Sequence, residues 1–288
     1  MSSVLILGSN GQLGSDLVEV LGQKEQIEVI PFTRREFEVG RDSLSSLPKV
    51  DYLINCIAFH NVDLAEERAE ENFLINSAFV HQLARWASEN RTILIHISTD
   101  YIFDGGSRDP YTETSPPNPI NIYGVSKMAG ELGIKNFTNR YFIFRVSSLF
   151  GIGGVEKRKN FVETMLHYGR ELGKLKVVDD QWMVPTHTLD VAKGIGYFIE
   201  NRIDEFGVYN LVNDGYASWY QFAVEIFKEA GMEVEMEPIS WREYWRKANR
   251  PQYSVLDNRK IGKFLKLPHW REALREYFRR RKLKFGGK

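Results

Sequence analysis

The chain has 288 residues, 43% hydrophobic and 26% charged, and its 38 Lys and Arg balance its 38 Asp and Glu. This is the composition of a globular protein with enough apolar residues for a sizeable core, and zero net charge offers no global field for nucleic acid or an anionic membrane. Cys56 is the one cysteine, which excludes an internal disulfide and a multi-cysteine metal site and fits a reducing compartment.

The N-terminus, Met1-Ser2-Ser3, runs straight into an apolar strand at 4–7 without the basic region of a secretory signal. No stretch approaches the roughly 18–20 apolar residues that span a bilayer, so a cytoplasmic protein with no membrane partner is expected. That strand leads into Gly8-Ser9-Asn10-Gly11-Gln12-Leu13-Gly14, a G-x-x-G-x-x-G loop opening a helix over 12–21. Small residues let the backbone turn and a pyrophosphate approach, and the helix N-terminus offers free N–H groups to the anion. Gly8, Asn10, Gly11, Gln12, Leu13 and Gly14 are therefore the expected dinucleotide loop. A second strand, 27–32, ends in Thr33-Arg34-Arg35, where an acidic residue would bind the ribose diol of NAD. Guanidinium groups suit a 2′-phosphate, so NADPH is expected, with Arg34 in contact with it. Glu36 and Glu38 follow and could instead pair with the arginines, which leaves NADH as the alternative.

Strands at 52–57, 92–97 and 141–146 alternate with helices at 69–89 and 123–136. This rhythm predicts an α/β fold, a Rossmann-type doubly wound parallel sheet with ligands at the carboxyl ends of its strands. The strand at 92–97 ends in Ser98-Thr99-Asp100, placing hydroxyls at that end. Tyr123 and Lys127 stand four apart, on one face of a helix, where a nearby ammonium favours ionisation of a phenol whose free pKa is about 10. Taken alone, the spacing is a weak signal that more often marks a surface tyrosine beside a solvated lysine.

Beyond Phe150 the rhythm loosens. Helices are expected at 161–172, 189–200 and 219–229 and an extended segment at 208–211, while Pro238 and Pro251 bracket an aromatic-rich stretch. Residues 1–150, with 182–212, are expected to form the dinucleotide-binding domain, and 151–181 and 213–288 a smaller interleaved substrate-binding lobe. A last helix over 270–278 precedes a basic run, 279–282 with Lys284 and Lys288, read as a solvated helix end and tail.

In chain order, the glycine loop, Thr99 and the Tyr123/Lys127 pair resemble the extended short-chain dehydrogenase/reductase superfamily. Further segments are similar to the dTDP-4-dehydrorhamnose reductase family: Asn55-Cys56-Ile57-Ala58-Phe59 with Val62-Asp63, Arg145-Val146-Ser147-Ser148-Leu149-Phe150-Gly151, and Asp179-Asp180-Gln181 with Val184-Pro185-Thr186. Arg250-Pro251 and Ser254-Val255-Leu256-Asp257 complete the likeness, which covers essentially the whole chain. The resemblance implies NADPH-dependent reduction of the C4 ketone of a nucleotide sugar, dTDP-4-dehydro-β-L-rhamnose. Tyr123 would protonate the reduced oxygen, Lys127 would bind the nicotinamide ribose and favour tyrosine ionisation, and Thr99 would hydrogen-bond the carbonyl. Ala58 would touch the cofactor, and His60, Val62, Tyr101 and Ser148 would meet the substrate. The chain departs from the family at His60, where threonine is frequent, and at Ser148, where tryptophan is frequent. These changes alter the walls around the sugar, and His60 is expected to position substrate or pack rather than titrate at the carbonyl.

Asp179 and Asp180 are expected to organise a loop near the cofactor, and most tryptophans to pack, with Trp182 a candidate border of the cleft. His81, His96, His167, His187 and His269 show no metal-ligand spacing, so no catalytic metal is expected. A nucleotide-sugar epimerase or dehydratase of the same superfamily remains an alternative. So does a non-catalytic NADP-binding regulatory subunit resembling the methionine adenosyltransferase beta subunit. A homodimer is familiar in the family, though no interface is legible here.

Overall fold

The computed structural model describes residues 1–153 and 160–286. Residues 154–159 of the expected smaller lobe and Lys288 of the basic run lie outside them. In chain order the elements are β1 (Ser2–Leu7), α1 (Gln12–Gly22), β2 (Ile27–Phe32), β3 (Tyr52–Asn55), α2 (Val62–Glu67), α3 (Ala69–Phe73), α4 (Phe79–Asn90), β4 (Ile93–Thr99), α5 (Ile122–Phe137) and β5 (Tyr141–Val146). There follow β6 (Leu149–Phe150), α6 (Phe161–Leu172), β7 (Lys174–Val178), β8 (Trp182–Met183), β9 (Thr186–His187), α7 (Thr188–Glu200), β10 (Gly207–Asn210), β11 (Ala217–Ser218), α8 (Trp219–Ala230), β12 (Glu235–Ile239) and α9 (Trp270–Phe285).

Six strands pair in parallel in the order β10-β5-β4-β3-β1-β2. Their sequences are near-continuous apolar runs because both faces are covered. Val4, Ile6, Ile54, Ile95 and Phe144 point to the face packed by Leu17 of α1 and Phe198 of α7. Leu5, Leu7, Leu53, Leu94 and Ile143 point to the other, against Val80, Leu83 and Ala84 of α4 and Ile134 of α5. Chain direction reverses at β1, which lies between β2 and β3, so a crevice opens beyond the carboxyl ends of β1 and β3. Of the segment 182–212, α7 and β10 rejoin this sheet unit, whereas β8 pairs with β11 outside it.

The expected helix at 69–89 is interrupted. A π turn over Leu74–Ala78 separates α3 from α4, and such turns widen the spiral where a side chain has work to do. Here Asn76 accepts from the Phe59 N–H at 2.9 Å and donates to the Phe59 carbonyl at 3.0 Å, while Asn72 donates to the same carbonyl at 3.3 Å. The loop after β3 is thereby clamped at Phe59, immediately before His60.

A second core, in the part of the chain expected to form the smaller lobe, packs α6, α8 and α9 around Phe150, Val162, Phe222, Ile226 and Trp270, beside the two parallel strands β7 and β12. α9 continues to Phe285, so residues 279–282 and Lys284 of the basic run belong to a helix, and two of these cations are largely buried. Arg280 reaches Asp16 at 2.9 Å and also Glu19, both of α1, and Arg281 reaches Glu163 of α6 at 2.7 Å. Carboxylates from two other elements thus draw in side chains that are only 14% and 13% exposed.

Candidate active site

The crevice begins with the backbone of the glycine loop. Gly8 has φ +79°, strained for any side chain, and a Cβ there would stand 3.2 Å from the Cys56 carbonyl carbon. A Cβ on Gly14 would come within 2.2 Å of the Gly8 carbonyl oxygen, so α1 can approach the loop only with glycine at that position. The N-cap of α1 is Gly11, which offers no side-chain cap and leaves the first-turn N–H groups to the crevice.

A cavity of about 480 Å³ lies over this loop. Asn10, Gly11, Gln12, Leu13 and Gly14 line it from one side, Ala58 and His60 from the loop after β3, and Thr99, Tyr123, Lys127 and Ser148 from the other side. Gly8 lies in the turn beneath. Val62, in the first turn of α2, and Tyr101, packed edge-on against Tyr123 at 6.1 Å, do not line it. Both are the residues expected to meet the substrate; Tyr101 stands behind Tyr123, under the Arg250 guanidinium at 5.8 Å.

Arg34 lines a second hollow with Thr33, Arg35, Glu36, Arg41 and Asp42, and Asn10 borders both spaces. Glu36 does not neutralise its arginines directly: its carboxylate accepts from the Thr33 hydroxyl at 2.6 Å and the Thr33 N–H at 2.7 Å. Those bonds, with Arg35 nearby, hold it below the ordinary carboxylate range. Glu38 makes only long pairs, 3.6 Å to Arg34 and 3.6 Å to Arg41. The hollow keeps three guanidinium groups around one space.

Tyr123 is brought to Thr99 by a close approach of two backbones. Asn121 caps α5 by accepting from the Gly124 N–H at 2.8 Å, and a Cβ on Gly124 would stand 2.1 Å from the Tyr101 carbonyl oxygen. Burial raises the Tyr123 phenol above its ordinary value; a hydrogen bond with Thr99 opposes this, and Asp100 and Tyr101 add to it. Lys127, 2% exposed, turns toward β4, its Nζ 3.1 Å from His96 Nε2 and 2.6 Å from the Ile97 carbonyl. Burial draws its pKa down to about 8, against Glu131 and Cys56. Here the lysine is engaged by the strand, and burial is the largest influence on the phenol.

Asp100 was not singled out in sequence. Its carboxylate accepts from Thr99 at 3.1 Å, Ser147 at 2.9 Å and Ser254 at 2.6 Å, tying the ends of β4 and β5 to the chain before α9. Burial raises it to about 6, with those three hydroxyls opposing. Ser148 has φ +43°, a left-handed conformation that few non-glycine residues adopt, so its placement in the wall is held by its surroundings. Asp63 of α2 binds Arg250 at 2.8 Å and the Ala248 N–H at 3.0 Å, joining the loop after β3 to the smaller lobe.

Asp179 and Asp180 lie away from the cavity. Asp179 accepts from the Ser218 hydroxyl, and Asp180 from the Ser240 hydroxyl at 2.6 Å and the Trp241 N–H at 2.7 Å. They organise a joint within the smaller lobe, since hydroxyl and N–H donors there satisfy them, rather than a loop at the cofactor as expected. Trp182 packs against Tyr216 at 5.8 Å. Among the described residues no group of three or more His, Cys, Asp or Glu side chains could hold a metal ion, and no helix is long and apolar enough to cross a membrane.

A glycine loop at the switch point of a parallel sheet, with Thr99, Tyr123 and Lys127 on one cavity, is the layout of an extended short-chain dehydrogenase/reductase. A family model described as the RmlD substrate binding domain matches residues 1–283, and the chain belongs to that family. It is 38% identical over 287 residues to the spore coat polysaccharide biosynthesis protein SpsK of Bacillus subtilis, covering 98% of each chain. It is 33% identical over 295 residues to a dTDP-4-dehydrorhamnose reductase of Burkholderia thailandensis, covering 94% of this chain and 96% of the relative. A dTDP-4-dehydrorhamnose reductase of Bacillus anthracis, solved in complex with NADP, superposes with a TM-score of 0.90 at 35% identity, covering 97% of this chain and 99% of that one.

Proposed function

We propose that this protein reduces the C4 ketone of dTDP-4-dehydro-β-L-rhamnose to dTDP-β-L-rhamnose, using NADPH. The observation that carries the reading is the convergence of Thr99, Tyr123 and Lys127 on a cavity floored by the glycine loop, in a chain related along nearly its whole length to such reductases.

The residues present fit the cofactor. Gly8 and Gly14 allow the close approach of loop and helix, α1 presents an uncapped N-terminus, and the hollow of Arg34, Arg35 and Arg41 adjoins the cavity at Asn10, where an added 2′-phosphate finds cations. When bound, the dinucleotide supplies the hydride. The protein's part is to receive the charge that hydride transfer leaves on the ketone oxygen. The Tyr123 phenol delivers a proton to that oxygen, and its raised pKa keeps the proton in place until the oxygen becomes basic enough to take it. Thr99, held by Asp100 at 3.1 Å, stands beside Tyr123 to orient the carbonyl. Lys127 holds the nicotinamide ribose. His60 and Ser148 form the sugar's walls, and the described parts of 151–181 and 213–286 cover the nucleotide as the substrate lobe.

The test is NADPH oxidation by the purified protein against a panel of dTDP- and UDP-linked 4-keto sugars, with product stereochemistry determined. Tyr123→Phe should bind NADPH as the parent does and lose turnover at least about a hundredfold. Near-normal turnover by that variant would sink the mechanism, and oxidation with none of the sugars would sink the assignment.

A further inference from the structure

On the core side of Lys127, three polar side chains from three elements form a closed chain of contacts. Asn55 ends β3, His96 lies in β4 in register with it, and Lys127 reaches down from α5. They are 1%, 0% and 2% exposed, so each polar atom must find its partner within the protein. The Asn55 amide nitrogen faces His96 Nδ1 at 3.2 Å, and His96 Nε2 faces Lys127 Nζ at 3.1 Å.

The direction of every bond follows from one backbone donor. The Ile57 N–H meets Asn55 Oδ1 at 3.1 Å, so the other end of that amide, its NH₂, is what faces the ring. Nδ1 therefore accepts, and a neutral imidazole carries its proton on Nε2. Burial, the leading effect on this ring, keeps it from charging. An Nε2–H pointing at an ammonium would set two donors against each other. A neutral amine resolves the conflict: its lone pair accepts from Nε2–H while one of its own N–H groups donates to the Ile97 carbonyl at 2.6 Å.

We propose that His96 is a positioning residue that holds Lys127 retracted and uncharged before the dinucleotide binds, and that Lys127 takes a proton from solvent when it turns to the cofactor. One N–H bond forms on Nζ as one bond to hydrogen breaks on a buffer acid, whose conjugate base is left in solution, and no other covalent bond changes. Lys127 is faced by His96 on β4, Cys56 after β3, and Glu131 on its own helix, with Glu131 held by Arg145 of β5. Glu131 and Cys56 favour the ammonium and burial disfavours it; the His96 N–H adds to the side of burial. Leaving His96 removes that donor, so departure and protonation are one event. The proposal rests on the cofactor assignment above and is independent of which sugar is reduced.

Two measurements test it on the full chain. Nitrogen-15 NMR of histidine-labelled free protein reads the tautomer directly: a protonated Nε2 and bare Nδ1 on His96 are expected, and a protonated Nδ1 overturns the proposal whatever the cofactor does. Calorimetric titration with NADP at neutral pH, repeated in buffers of different ionisation enthalpy, counts protons. Uptake of about one proton per dinucleotide is expected, where burial alone would leave Lys127 mostly charged already and uptake small. His96→Gln can turn a carbonyl oxygen to an ammonium, and Asn55→Asp accepts from Nδ1–H and reverses the tautomer. In both, Lys127 rests charged and uptake falls toward zero while the dinucleotide still binds. Uptake equal to the parent's in both variants, or none in the parent, overturns the proposal; failure to bind NADP at all would overturn the cofactor assignment and is told apart by the NMR result.

Discussion

Glu131 of α5 and Arg145 of β5 form an ion pair in which each side chain is 1% exposed, with guanidinium nitrogens 2.9 and 2.8 Å from the two carboxylate oxygens. Glu131→Leu would leave the guanidinium buried with the Glu113 carbonyl at 3.3 Å and the Phe103 ring at 5.4 Å as its compensation. A buried charge stripped of its partner costs about 3–5 kcal/mol, whereas replacing both partners by apolar groups of similar volume is often neutral. Glu131→Leu and Arg145→Met are therefore each expected to lose about 3 kcal/mol or more, and the double variant to lose less than either. Urea unfolding followed together by circular dichroism and fluorescence measures this, provided the transitions coincide. Single variants within about 1 kcal/mol of the parent, or losses that simply add, would refute the reasoning. Since Glu131 also favours the charged form of Lys127, the single variant should weaken the site as well as the fold.

Other outcomes follow from the same geometry. Gly14→Ala sets a methyl group 2.2 Å from the Gly8 carbonyl oxygen, a backbone atom that cannot swing aside; NADPH affinity by fluorescence titration should fall at least about tenfold, and unchanged affinity would contradict the loop's role. Arg34→Ala combined with Arg35→Ala should shift the ratio of kcat/KM for NADPH over NADH toward NADH by at least about tenfold, and an unmoved ratio would remove the 2′-phosphate assignment from this hollow. Asp100 is raised from 3.8 to about 6, so the folded chain keeps a proton that the unfolded chain loses. Its contribution to stability is complete below the lower value and is lost as pH rises through the upper one, by ~3 kcal/mol for about two units. Asp100→Asn should flatten the change in unfolding free energy between those pH values; a slope equal to the parent's would show that Asp100 does not titrate there.

The parts of the fold that were legible in sequence are those whose cause is local. The apolar run Val4 to Leu7 followed by Gly8, Gly11 and Gly14 declares strand, turn and helix within a few residues, because steric freedom and periodicity act over that span. The spacing of Tyr123 and Lys127 placed them on one helical face, but not where the lysine points. That depends on His96, 31 residues away, and on Asn55, 41 residues from His96, which only strand register brings together. The break at Leu74–Ala78 was hidden because its cause is Asn76 reaching Phe59, and helical periodicity is indifferent to such a partner. Arg280 and Arg281 read as solvated for the same reason: charge along a helix is visible in sequence, while the carboxylates of Asp16 and Glu163 that meet it are not.

The outer neighbour of β5 is β10, Gly207–Asn210, so residues 147–206 are synthesised before the edge of β5 finds its partner. A growing chain that has emerged only as far as Val146 carries an open row of peptide groups beside Phe142 and Phe144, whose packing partners Phe198 and Tyr209 are still to come. Non-local pairing of this kind slows folding, and an unpaired apolar edge invites association with other chains. The return of β10 to the edge of β5 thus leaves the nascent sheet incomplete through the synthesis of 147–206, the interval in which protection from other chains matters most.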